Sequence, residues 1–359
     1  MNMSEEDDLH HIPLKTLSEV IAMTSQEMAT ASPFVACHMK YLMSQAESIA
    51  DTALKKQTLQ LLENPAPTFM VKLSRTVEQA KITDRLVSAG LYDKNSSGTG
   101  KNLPLFPPAK DYRVAPQPFS SAPGSGYFRH HAYPGGLAVH TSVNLRSALA
   151  LSAIYEESYA VSTNQDILIA AQIAHDCQKP WVLQWLENGR IFPQATLAFT
   201  GSHHVFGLAE TMTRNFPPEV IIAQACAHNH LAAKEAEALI VGWLRAAAIL
   251  AGKDPVKEKY LEPSGRILNR PRRLENCMTH LGDHNWVVSL PASQWSSPLL
   301  ERLAVQEYRF SDSDLKGRPF YQLRNYIFSQ VTTLLFYDTY AQEGMNGLRR
   351  LVRRFVKPE

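Results

Sequence analysis

An imidazole and a carboxylate close the apolar stretch Ile167-Leu168-Ile169-Ala170-Ala171-Gln172-Ile173-Ala174-His175-Asp176, and Lys179 follows shortly after. Asn164, three residues before this stretch, is a suitable N-cap. The pattern therefore predicts a buried helix that begins after Asn164 and ends near Asp176. Because neutral imidazole and carboxylate groups are ordinary ligands of divalent ions, the His175-Asp176 pair indicates a metal centre.

Histidines are concentrated around this pair. Of the 13 histidines in the chain, eight fall within residues 130–230. Helix packing does not explain that density, because histidine is neither a strong helix former nor a preferred core residue. A metal centre is the better interpretation. The eight are His130, His131, His140, His175, His203, His204, His228 and His230.

Helical patterns place the candidate ligands at helix ends. Residues 137–159 predict a long central helix with His140 in its first turn, and Pro217-Pro218 opens a helix that runs to His228. A helical bundle can bring such ends together at one site. We therefore predict an all-α fold, with at most a few short strands around Trp286-Val287-Val288-Ser289-Leu290.

Breaker residues divide the chain into four regions. Residues 1–92 have helical periodicity and form a helical N-terminal region. Residues 93–126 form a Pro/Gly/Ser-rich connection, which opens with Asn95-Ser96-Ser97-Gly98-Thr99-Gly100. Residues 127–255 form the predicted metal-binding core, and residues 256–359 a mixed, mainly helical C-terminal region.

Composition sets mild bounds on the function. The formal net charge of +2 is too small to indicate electrostatic attraction of the whole molecule to nucleic acid or to a membrane. The chain contains no run of 18 apolar residues that would predict a membrane span. The four cysteines contain no CxxC motif, and the acidic N-terminus lacks the features of a signal peptide. We therefore expect a cytoplasmic protein with reduced thiols. The basic, amphipathic run 349–357 predicts a solvated helix face, with nucleic-acid or membrane-surface contact as the alternative.

The order of the histidines resembles a known family. His140, then His175-Asp176 with Lys179, then His203 with Gly207, then His228 is similar to the HD superfamily of metal-dependent phosphohydrolases. The resemblance covers residues 127–254, about a third of the chain. Its most specific part resembles HD domains of bacterial exoribonucleases and of conjugation-associated proteins. That part is Tyr127-Phe128-Arg129-His130-His131-Ala132-Tyr133-Pro134-Gly135-Gly136-Leu137-Ala138-Val139-His140-Thr141.

The resemblance implies a ligand set for one or two divalent ions, which could be Mn, Mg, Fe, Ni or Co. By position, a first ion is held by His140, His175 and Asp176, and Asp176 bridges to a second ion held by His203 and His228. His204 is the alternative to His203, which is preferred because Gly207 lies four residues beyond it. His230 is the alternative to His228, which is preferred because it ends the apolar run.

The sequence departs from the family pattern at one ligand. HD proteins usually supply a further Asp to the first ion from a later helix, and Ala248 occupies the matching position here. Asp254 lies six residues further on, nearly two helical turns away, and is the only substitute in that segment. The expected consequence is a weaker first metal site.

Residues near the metals have candidate roles in phosphoryl chemistry. Metal ions lower the pKa of a bound water and hold a phosphoryl oxygen, and Asp176 would orient that water. Lys179 could contact a non-bridging phosphate oxygen, although many lysines in such positions only face solvent. His131 is a candidate general acid, or alternatively a hydrogen-bond partner of the turn that follows it. Arg129 and His204 are further candidates for substrate contact.

Three classes of function remain open from the sequence. The first is a metal-dependent phosphohydrolase that acts on a phosphomonoester, a nucleotide or a phosphodiester, with a small phosphorylated molecule as its partner. The second is a di-iron oxygenase on the HD fold. The third is a degenerate HD module that binds a nucleotide or a protein without turnover, which the Ala248 departure favours. Substrate and oligomeric state are not readable from the sequence.

Overall fold

Helices account for nearly all regular structure in the computed structural model, which describes residues 12–94, 103–126, 129–229, 231 and 233–358. The helices are α1 Leu17–Ala22, α2 Ser25–Thr30, α3 Pro33–Ser48, α4 Thr52–Glu63, α5 Thr68–Lys72, α6 Thr76–Ser88, α7 Gly136–Tyr159, α8 Gln165–Ala174, α9 Lys179–Val182, α10 Ser202–Thr213, α11 Pro218–Cys226, α12 Lys234–Ala251, α13 Leu274–Gly282, α14 Trp286–Tyr308, α15 Asp312–Leu315 and α16 Arg318–Arg353. Short 3-10 turns span Phe119–Ser121 and Asp283–Asn285. The predicted all-α fold is confirmed.

Four two-residue strands form the only sheets among the described residues. Strand β1 (Lys15–Thr16) pairs in parallel with β4 (Val356–Lys357), which ties the two ends of the described chain together. Strand β2 (Thr196–Leu197) pairs antiparallel with β3 (Thr200–Gly201), directly before α10. The second pair therefore fixes the backbone that leads to His203.

The central helix α7 begins where the sequence predicts it. Gly135 takes a positive φ of 82° at the N-cap, a conformation that glycine adopts without strain. Residues 136–142 are all buried, so the first turns of the helix, with His140, lie inside the protein. Because α7 is buried on more than one side, its sequence shows no clear polar face.

Helix α8 delivers the His-Asp pair. The Asn164 side chain accepts a hydrogen bond from the backbone N–H of Ile167, as predicted for an N-cap. Every residue from 167 to 174 is buried, and the helix packs against α4, α7 and α11. His175 and Asp176 follow its last residue, and both are buried.

Two hydrophobic clusters organise the molecule. The larger joins residues between Ala29 and Leu268, so the N-terminal helices share a core with the histidine-bearing helices. The smaller joins the segment 12–28 with residues of α14 and α16, and it includes Tyr133 and Val139 from beside the start of α7. The first turns of α7 thus lie between both clusters. No helix of the described chain combines the length and apolarity that a membrane crossing requires.

No strand forms around Trp286–Leu290, where at most a few short strands were expected, because these residues open helix α14. Trp and Val favour strands, but Val287 and Val288 are both exposed and gain no sheet partner. Ser289, Ser293 and Ser296 are buried on one side of the helix at three- and four-residue spacing. Packing of that small-residue face against α16 therefore overrides local propensity. The connection prediction for 95–100 lies outside the described residues.

Candidate metal centre

The ends of four helices converge on the carboxylate of Asp176. His140 in the first turn of α7 and His175 after α8 each place Nε2 3.2 Å from Asp176 Oδ2. On the other side, His203 in the first turn of α10 places Nε2 3.2 Å from Oδ1. His228, beyond the end of α11, places Nε2 3.8 Å from the same oxygen. The two oxygens of Asp176 thus face different pairs of histidines.

A second carboxylate, Asp283, completes this group and was not predicted from the sequence. Its Oδ1 lies 3.2 Å from His140 Nε2 and 3.5 Å from His175 Nε2. Its Oδ2 accepts a hydrogen bond from His228 Nδ1 at 2.7 Å. Asp283 opens the 3-10 turn after α13 and is buried. Its neighbours in the sequence, His280 and His284, were the only available hint of polar clustering in this region.

Neither residue considered for the further carboxylate lies in the site. Ala248 is buried in the larger hydrophobic cluster. Asp254 is exposed, and its Oδ1 accepts hydrogen bonds from the backbone N–H groups of Val256 and Lys257. Asp254 therefore stabilises a turn. A carboxylate enters this group of residues 29 positions further along the chain, at Asp283 in the 3-10 turn after α13.

Hydrogen bonds fix the ring orientation of three histidines. His175 Nδ1 lies 2.6 Å from the carbonyl oxygen of Gln172, and His203 Nδ1 lies 2.6 Å from Gln194 Oε1. Both partners accept hydrogen bonds, so both Nδ1 atoms carry the proton. Each ring would then bind a metal ion through its Nε2, once that nitrogen carries no proton. His228 is oriented in the same way by Asp283.

The Nε2 lone pair of His203 points at the Asp176 carboxylate, an arrangement that fits a cation between the two groups. Burial lowers the pKa of His203 to about 4, so its ring is neutral at pH 7. A neutral Nε2 lone pair that faces Asp176 Oδ1 at 3.2 Å is repelled by that oxygen unless a cation lies between them. The Nε2 atoms of His175, His203 and His228 have no hydrogen-bond partner in the described part of the chain. The donor set and its orphaned nitrogens therefore fit divalent ions, and overlapping groups of these residues could hold one.

Lys179 lies inside the site. Its ammonium group contacts Asp176 Oδ2 and the carbonyl oxygen of Gly124, and only 4% of the residue is exposed. Burial by itself raises the pKa of Asp176, but the Lys179 ammonium and His175 hold it well below its usual range. The solvent-facing alternative for Lys179 is thus wrong. Lys179 keeps Asp176 ionised.

The other predicted substrate residues surround the ligands. His204 Nδ1 lies 2.5 Å from Thr200 Oγ1, and its ring centre lies 3.8 Å from that of His228, with the two rings tilted by 33°. His131 is buried, with its ring centre 5.3 Å from that of His140. Arg129 is exposed. His230 lies outside the described residues.

Comparison with known proteins gives one match. A dihydroneopterin 2',3'-cyclic phosphate phosphodiesterase from Methanocaldococcus jannaschii is 28% identical over 191 residues. The aligned residues make up 53% of this chain and 59% of that relative, so the chain spans less than two thirds of its length. No protein-family model matches the chain, and neither does any solved structure.

Proposed function

We propose that this chain is a metal-dependent phosphohydrolase of the HD type that cleaves a phosphodiester with an activated water. The observation that carries the proposal is the set of Nε2 atoms of His175, His203 and His228, which have no hydrogen-bond partner among the described residues and lie around the buried Asp176 carboxylate. The relative named as a cyclic phosphate phosphodiesterase supports phosphodiesters over the other phosphate esters. Bound divalent ions would supply a more acidic water and hold a phosphoryl oxygen.

Two ligand sets follow from the two sides of Asp176. The Oδ2 side would hold a first ion with His140, His175 and Asp283, whose ligand atoms lie close together. The Oδ1 side would hold a second ion with His203 and His228. Asp176 is then the shared ligand. His204 lies against the ring of His228 and remains the alternative ligand on that side.

The remaining residues have separate tasks in the proposed reaction. Lys179 keeps Asp176 anionic, which preserves its affinity for both ions. His131 lies on the side of His140, where its buried ring would be positioned toward the leaving oxygen of the ester. Arg129 is exposed near this histidine and would contact the phosphate or the rest of the substrate. Substrate would thus approach from the side of residues 129–131.

The position of Asp283 favours an enzyme over a module that binds a ligand without turnover. The degenerate interpretation depended on the loss of one carboxylate ligand at Ala248. Asp283 lies within 3.2 Å of His140 Nε2, so the described site has two buried carboxylates. We therefore favour an active enzyme.

A turnover panel tests the proposal. The protein would be loaded separately with Mn, Mg, Co, Ni and Fe and assayed on 2',3'-cyclic nucleotides, bis(p-nitrophenyl) phosphate and p-nitrophenyl phosphate. We expect metal-dependent hydrolysis of the diesters, its loss in Asp176→Asn, and wild-type rates in the control Asp254→Asn. Metal-loaded protein that hydrolyses none of these esters would contradict the proposal. Oxygen consumption by the iron form would then indicate an oxygenase.

A further inference from the structure

His130 and His131 form a second group of ligand atoms, next to the proposed metal pair and not used by it. Their Nδ1 atoms lie 3.3 Å apart, and their rings are 5.0 and 5.3 Å from the ring of His140. These three histidines satisfy the spacing for one ion. Neither His130 nor His131 contacts Asp176 or Asp283 in the ion pairs of the site.

The backbone is built to hold this arrangement. His131 adopts a positive φ of 52°, which is strained for a residue with a side chain. The ring centres of His130 and His131 lie 5.5 Å apart. Gly124 donates its N–H to His131 O at 2.8 Å, and a Cβ atom at Gly124 would lie only 2.6 Å from His131 Cβ. Gly124 therefore leaves room for this strained residue.

The spacing of the two Nδ1 atoms matches that of two ligands on one shared ion. Two imidazole nitrogens bound to one tetrahedral ion at about 2.1 Å lie about 3.4 Å apart. The observed 3.3 Å is close to that value. His140 Nδ1 is buried without a hydrogen-bond partner among the described residues, so a third nitrogen is available.

We propose that His130, His131 and His140 Nδ1 bind an additional transition-metal ion beside the pair held around Asp176. His140 would then contact two ions, one through each ring nitrogen, and would lose its ring proton to do so. An all-imidazole site without carboxylates favours Zn, Ni, Cu or Fe over Mg and Mn. The ion would lie on the side from which substrate is proposed to approach.

Metal counting and anomalous diffraction test this site. Metal-free protein would be loaded with Zn²⁺ and, separately, with Mg²⁺, and crystals would be measured at the zinc edge. We expect an anomalous peak between the Nδ1 atoms of His130 and His131, and one zinc ion fewer per chain in His130→Ala and His130→Gln. His284→Gln removes a histidine outside the three and should keep the wild-type zinc count. Magnesium should not fill the site.

An equal zinc count in wild type and both His130 variants would overturn the inference, as would a crystal with zinc at Asp176 and none between the two Nδ1 atoms. Either result leaves the proposed hydrolysis intact. Conversely, a third zinc ion in a protein that hydrolyses no phosphate ester supports this site while contradicting the proposed function. Circular dichroism of the His130 variants would show whether a lost ion reflects unfolding.

Discussion

Gly282 approaches helix α7 so closely that a Cβ atom at this position would lie 2.8 Å from the carbonyl oxygen of Asn144 and 2.8 Å from Ala148 Cβ. The next residue, Asp283, accepts a hydrogen bond of 2.6 Å from Asn144 Nδ2. Asn144 thus fixes Asp283 beside His140, which lies one turn earlier on the same helix. The close approach of α13 to α7 is what brings the second carboxylate into the site.

We expect Gly282→Ala to weaken the first metal site. The added methyl group cannot fit without moving α13 away from α7, which would shift Asp283 from His140. Overpacking of this kind costs about 1–3 kcal/mol of unfolding free energy. Chemical denaturation would measure that loss, and titration of metal-free protein with Mn²⁺ would measure the weaker binding.

Gly242→Ala is the matched control. Gly242 is also helical, but the nearest atom to its Cβ position is 3.9 Å away, on Leu91. Alanine is a better helix former than glycine, so this variant should retain or gain stability. Equal metal affinity in both variants would show that close packing at Gly282 does not position Asp283.

Asp283→Asn should lower affinity for the first ion at least tenfold. The substitution keeps the size of the side chain but removes its negative charge, and divalent ions prefer anionic oxygen ligands. Asp254→Asn, at an exposed turn, should leave affinity unchanged. Calorimetric titration would compare the two. If only Asp254→Asn lost metal binding, Asp254 and not Asp283 would be the ligand of the first ion.

Ala248→Asp tests whether position 248, as expected from the family resemblance, or Asp283, as placed by the structure, lies beside the first ion. Ala248 is only 1% exposed and packs among apolar residues, so a carboxylate there would be buried without a partner. We expect a clear loss of stability and no gain in metal affinity. Tighter Mn²⁺ binding in this variant would show that position 248 does face the first ion.

The sequence predicted the helical parts of the site because each has a local signal. Asn164 caps α8, the prolines at 217 and 218 open α11, and the apolar stretch before His175 has to be buried. Asp283 carries no such signal. Its role depends on the contact between α13 and α7, which joins residues 139 positions apart in the chain. Local patterns do not encode a pairing of that kind.

Metal binding should strengthen as the pH rises. In the metal-free site, burial lowers the pKa of His175, but Asp176 and Asp283 outweigh it and raise the pKa to about 10. His175 is therefore protonated at pH 7, and a metal ion must displace that proton. Affinity should rise about tenfold per pH unit for each displaced proton until the pH approaches 10.

Calorimetry in two buffers of different ionisation enthalpy would count the released protons. We expect at least one proton per first ion at pH 7, and fewer in His175→Gln, which has no proton to lose. Proton release that is zero at pH 7 would contradict the pKa assigned to His175. A plot of metal affinity against pH with its only inflection below pH 6 would also contradict that pKa.

Gln194 is expected to set the affinity of the second ion without touching it. Its Oε1 lies 2.6 Å from His203 Nδ1 and 3.3 Å from the His203 backbone nitrogen, so one amide oxygen fixes both ring and main chain. Gly201 makes room for this side chain, since a Cβ atom there would lie 2.6 Å from Gln194 Nε2. Gly201 itself is fixed by the pairing of β3 with β2.

Gln194→Leu removes the acceptor at similar size, and the His203 ring is then free to rotate or to change tautomer. Loss of such an outer hydrogen bond typically weakens metal binding about 10–100-fold. The second ion should therefore bind more weakly while the first is unaffected, because His140, His175 and Asp283 do not contact Gln194. Gln194→Glu keeps an acceptor and should rescue binding.

Stepwise titration with Mn²⁺, followed by electron paramagnetic resonance, resolves the two ions. Equal weakening of both would indicate a general loss of structure, and equal affinity in Gln194→Leu and wild type would show that His203 does not hold the second ion through Nε2.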